Sequence, residues 1–167
     1  MTDYDKIVRD IRGFLPQDPP HSGRFDIMEL PRREFYPRAA MYGAEFSRAY
    51  YHPTYREAAF QKPVEPETVV HELTHAVMDV DWAIYRPEWF CEGFAEMMVH
   101  VLCRGRFPRH VRKPPAVVGA PRALLYGMDF ETNYHALAGH VAWLAWNEGM
   151  RPLLQRFSAA KGGLGGR

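Results

Sequence analysis

Cysteine is scarce in this chain: Cys91 and Cys103 are the only two among 167 residues. If one helix carries both, they stand roughly 18 Å apart along it, far outside disulfide reach. Free thiols are therefore expected, and with them a reducing, cytoplasmic setting. Long apolar runs are missing too. None approaches the ~20 residues a membrane span requires, and the opening "MTDYDKIVRDIRGFL" is charged from the start, so neither a membrane anchor nor a secretory signal is expected. Nor does one sign of charge prevail. The 21 Lys and Arg nearly balance 20 Asp and Glu, for a net +1, which argues against a broad nucleic-acid-binding face. Cations gather only in "CRGRFPRHVRKPP" (103–115), among prolines, which reads as a solvated loop.

What is present suits one folded domain over residues 1–160, followed by a Gly-rich tail, 161–167, predicted to be disordered. Ile7, Val8, Ile11, Phe14 and Leu15 form a helical stripe that Pro16 ends. Between Gly23 and Lys62 the pattern shortens. "FDIMEL", "AEFSRAYY" and "YREAAFQ", rich in aromatics and separated by Pro and Gly, read as strands, the last two around a His-Pro-Thr turn. Helices follow. One starts at Pro66–Thr68 and buries Val69, Val70, Leu73, Val77 and Val80; a second starts near Pro87, with Pro at its first position. After a Pro-rich linker (108–121), a third spans about 131–147 and stops at Gly149, and a short last one runs from Pro152 to Phe157. Strands first and helices later predict an α+β fold.

The chemistry lies in "VVHELTHAVMD" (69–79). A helix turns about 100° per residue, so His71 and His75 sit about 40° apart and roughly 6 Å along the axis. Two imidazoles so placed can converge on one ion, while Glu72 reaches a water on that ion without ligating it. A hydrolytic zinc site needs three protein ligands and an open fourth position. In "PEWFCEGFAEMM", Glu92 follows His75 after 16 intervening residues and supplies the third. Glu96, one turn on, is placed to accept a hydrogen bond from a ligand imidazole and fix its orientation. Gly93 suits a close approach of two helices, around an ion or by plain packing.

These two stretches carry a resemblance. "HELTHAV" followed by Asp79 resembles the active-site helix of thermolysin-type peptidases, and "EWFCEGFAE" resembles the glutamate helix of aminopeptidases and peptidase-MA-like proteins. Both belong to the gluzincins, zinc peptidases with H-E-x-x-H and a downstream Glu. The match covers about residues 66–102, with the preceding sheet and following helices matching loosely. It implies a zincin-like fold: a small mixed sheet, the active-site helix, the glutamate helix and C-terminal helices. It also implies one zinc ion per chain held by His71, His75 and Glu92, with Glu72 as general base and Glu96 as partner of a ligand histidine. Tyr85 and Tyr134 are each placed like an oxyanion-stabilising tyrosine of one branch, Tyr134 being favoured, with His135 and His140 as other possibilities. The substrate would be a peptide or protein, paired with the edge strand ahead of the metal helix, for which "YREAAFQ" is the candidate. One departure is Cys91, where these families often carry an Asn that orients a ligand histidine.

Other readings of the same residues stay open at this point. A zinc-stabilised scaffold or binding module of the same fold needs the ligands but not Glu72, and a regulatory protease would cut one partner protein only. Cys91 reads as a buried thiol and Asp79 as a capping or surface residue. Trp82, Trp89, Trp143 and Trp146 read as core before pocket. His135 and His140, five apart, point about 140° away from each other and make no metal pair. His21, His52, His100 and His110 have no partner motif and read as structural.

Overall fold

The computed structural model describes residues 2–44, 47–115, 118 and 130–158; for 130–132 it describes the backbone alone. The Gly-rich tail and part of the Pro-rich linker lie outside these residues. Helix α1 (Tyr4–Phe14) is capped by Asp3, whose side chain accepts from the Lys6 N–H at 2.9 Å. Ile11 is fully buried, with Ile7, Val8 and Phe14 packed against the core. Strand β1 (Asp26–Leu30) then leads into helix α2 (Arg32–Met41).

Helix α2 was not legible from the pattern, because Pro37 sits inside it and withdraws a backbone donor. What holds it is tertiary: Phe35 and Ala39, one turn apart, bury against Tyr50 and Ala59. Strands β2 (Ala49–His52) and β3 (Glu57–Gln61) form the expected hairpin, antiparallel, with Ala49 opposite Phe60 and His52 opposite Glu57. The β2 strand is shorter than the aromatic stretch suggested. Strand β1 pairs with β3 in parallel, so the sheet order is β1-β3-β2.

That order corrects one expectation. The "YREAAFQ" strand, β3, is central rather than an edge, and its backbone groups are engaged on both sides. Its small residues follow from this position. Ala58 and Phe60 face the main core and Ala59 faces the α2 side, so layers press on both faces and alanines let them approach. The sheet edge on the α3 side belongs to β2, which has no second strand partner among the described residues.

Helix α3 (Pro66–Trp82) starts with proline in its first turn, as the sequence indicates, and buries the predicted valine–leucine stripe. Ala83 ends it in the left-handed region (φ 56°), its N–H bonded to the Asp79 carbonyl. Helix α4 (Glu88–Arg104) has Pro87 as its N-cap residue, one position earlier than expected. Helices α5 (Phe130–Glu148) and α6 (Met150–Ser158) follow, separated by Gly149 at φ 84°. The whole is an α+β arrangement of six helices and one three-stranded mixed sheet among the described residues. None of these helices is long and apolar enough to cross a membrane.

Helix α4 packs between α3 and α5. Gly93 is the close-contact point on its α5 side: a Cβ there would meet the Leu137 carbonyl oxygen and Val141 Cγ2, both at 2.9 Å. This is the packing reading of that glycine. The segment 109–111 crosses α5 at Gly139, with the Val111 N–H bonded to the Gly139 carbonyl. Most of the cationic stretch 103–115 is exposed, as expected of a solvated loop.

Candidate metal centre

His71 and His75 project from one face of α3 with ring centroids 4.8 Å apart. The second turn of α4 brings Glu92 to them. Glu92 Oε2 lies 3.1 Å from His71 Nε2 and 3.6 Å from His75 Nε2, and the two Nε2 atoms are 3.1 Å apart. For a tetrahedral ion with bonds of about 2.0–2.1 Å, ligand atoms stand about 3.3–3.4 Å from one another. The three measured edges bracket that value. The donor set, two imidazole nitrogens and one carboxylate oxygen, is also one that zinc accepts.

Electrostatics point the same way. Burial works to lower the pKa of His71, but the hydrogen bond and charge of Glu92, with Glu72 and Glu96 adding to them, raise it to about 9. Burial works to raise that of Glu92, yet His75 and His71 hold it well below the usual carboxylate range. His71 is thus drawn toward its positive form by the carboxylates around it, in a place suited to a cation.

Glu72 is half-buried beside the triad and lines two cavities, of about 270 Å³ and about 600 Å³, that share Ser47, Ala49, His71 and Tyr134. The smaller one also takes in His75, Glu92 and Tyr51, so the triad faces open space rather than core. Tyr134 is 5 % exposed, with its ring centroid 6.0 Å from that of His71. Tyr85 lines only the smaller cavity and is 43 % exposed. Of the two tyrosines, Tyr134 is the one gathered against the histidines.

Strand β2 borders this groove through Ala49, Tyr50 and Tyr51. Tyr51 donates from its hydroxyl to Asp79 Oδ2 at 2.8 Å, tying the edge strand to α3. Asp79 is therefore a buried anchor, not a surface residue. Cys91 is buried, and that burial, with Glu92 and Glu88 nearby, pushes its thiol up; it stays protonated and makes a poor ligand. Both cysteines are free. No tryptophan lines the groove: Trp82 is core, Trp89 packs on Phe90 and Phe157, Trp143 stacks on His140, and Trp146 is exposed.

Glu96 acts on His71 through its charge, and its Oε1 lies nearest a second group of side chains. It is 3.5 Å from His135 Nδ1 and 3.6 Å from His100 Nε2. His140 turns away, its Nδ1 2.9 Å from the Val111 carbonyl. The pairing of His100 with Glu96 had a signal in the chain, a Glu and a His four apart on one helix. His135 had none, since it comes from another helix. The chain matches no family model, no curated protein and no solved structure.

Proposed function

We propose that this chain is a small zinc-dependent metallopeptidase of the gluzincin type, with a zincin-like fold, acting on peptide or protein substrates in a reducing compartment. The observation that carries the reading is the triad. Three ligand atoms from two helices stand at tetrahedral edge lengths, beside Glu72 and open to a groove. His71, His75 and Glu92 would hold the ion, which supplies Lewis acidity toward a carbonyl oxygen and lowers the pKa of a water. Glu72 takes the proton of the attacking water and passes it to the leaving amine. The Tyr134 hydroxyl donates to the oxyanion as it develops. The substrate backbone pairs with β2, whose outer edge has no strand partner among the described residues and which lines the groove.

A zinc-stabilised scaffold is the second reading. It draws on Cys91, a buried thiol next to Glu92, where an imidazole-orienting amide would serve catalysis better. Substitution separates the two. Glu72→Gln should lower peptide hydrolysis at least 100-fold with zinc content and unfolding temperature unchanged, measured on casein-like and short peptide substrates. Glu92→Ala should lose the zinc of this triad. A wild-type protein that holds one zinc yet cleaves nothing, with Glu72→Gln indistinguishable from it, favours the scaffold. Cleavage of one partner protein but no generic substrate would mark a dedicated regulatory protease.

A further inference from the structure

The Glu96 group repeats the geometry of the first triad. His100 Nε2 and His135 Nδ1 are 3.3 Å apart, and each stands 3.5–3.6 Å from Glu96 Oε1. Those edges again match a tetrahedral ion with bonds near 2.1 Å. We infer that Glu96, His100 and His135 form a second transition-metal site, separate from the first and entered from the same groove. Two imidazoles and one carboxylate select zinc or cobalt over magnesium or calcium, which prefer all-oxygen shells.

The site already receives a cation. Arg104 reaches back from the last turn of α4, with its Nη1 2.9 Å from His100 Nε2 and its Nη2 3.7 Å from Glu96 Oε1. A guanidinium has only donors, so His100 Nε2 is the acceptor and its proton sits on Nδ1. That Nδ1 is buried with no hydrogen-bond partner among the described residues. The imidazole is thus in the tautomer a metal needs, with its Nε2 lone pair aimed at positive charge. Arg104 has a second hold, on Glu67 through Nε at 3.1 Å and Nη2 at 3.4 Å, where it can stay when an ion displaces it from His100.

His135 and Glu96 line the same cavity of about 600 Å³ as His71, Glu72 and Tyr134. An ion on the second triad therefore adds positive charge inside the groove, beside the first centre. A carboxylate or water would suit it as fourth ligand.

The test is metal stoichiometry of the full chain, stripped with chelator, titrated with Zn²⁺ alone and, in parallel, with Co²⁺ followed by its visible absorption. Two equivalents are expected for the wild type. His135→Ala, a half-exposed position whose folding is checked by circular dichroism, should keep one; so should Glu92→Ala, losing the other one. Arg104→Ala removes the competing cation and should tighten the weaker equivalent about tenfold. Saturation at one equivalent in both wild type and Arg104→Ala, with that equivalent kept in His135→Ala, would overturn the inference. So would a second equivalent that survives His135→Ala and His100→Gln unchanged. One equivalent lost in His135→Ala but kept in Glu92→Ala would uphold this site and sink the first.

Discussion

Single side chains in this protein act through the company they keep, and Glu57 shows this away from the groove. It is buried at the start of β3, accepts from the Tyr50 hydroxyl at 2.7 Å, and takes both a 2.7 Å bond from Arg38 Nε and a second bond from Arg38 Nη2. Burial works to raise its pKa, but Arg38 and Tyr50 outweigh burial and hold it below the ordinary 4.5. The unfolded chain therefore binds the proton more readily than the folded one. The stabilisation is fully present above about pH 4.5 and is lost as pH falls through the lower, folded value. Glu57→Gln should cost about 1–2 kcal/mol at pH 7, a figure discounted because Arg38 is partly in water. Urea unfolding at a series of pH values checks it: the gap between wild type and variant should close below pH 4.5.

At the scale of elements, α4 is the piece on which both triads depend. Its second turn presents Glu92 to α3, and the following two turns present Glu96 and His100 toward His135 of α5. Its separation from α5 is set at Gly93, where an added methyl would strike a backbone carbonyl oxygen, which cannot rotate away. Gly93→Ala should push the two helices apart and destabilise the fold by about 1–3 kcal/mol. Zinc affinity should fall with it, since Glu92 is the adjacent residue. Thermal unfolding and zinc titration of the variant would show both losses, whereas a stable variant with unchanged affinity would mean that α4 is positioned elsewhere.

For the whole molecule, the proposed ligands lie on different helices and only the folded chain assembles them. Binding to the native state alone stabilises it by RT ln(1 + [L]/Kd), or about 2.7 kcal/mol at a hundredfold excess over Kd. Zinc should therefore raise the unfolding temperature by several degrees, at about 2–4 °C per kcal/mol for a chain of this size. Chelator should reverse the shift, and His71→Ala should abolish the part due to the first site. Scanning calorimetry with and without Zn²⁺ measures it.

Much of this was written locally. The i, i+4 spacing of His71 and His75 puts both imidazoles on one face of any helix, and the stripe from Val69 to Val80 makes that segment a helix and buries its other side. Glu92, early in the next helix, needed only a short connection to come into register. The break at Gly149, the cap at Asp3 and the hairpin around residues 53–56 were equally local, because caps and turns depend on a few neighbouring side chains. Other features depend on partners far along the chain, and only the tertiary structure decided them. Helix α2 exists against its own proline because Phe35 and Ala39 find Tyr50 and Ala59 to bury against. Strand β3 became central, and β2 the edge over the groove, because β1 paired with β3 across some thirty residues of chain. His135 met Glu96 and His100 for the same reason: periodicity says which way a side chain points along its own helix, while the packing of α5 on α4 says what it meets.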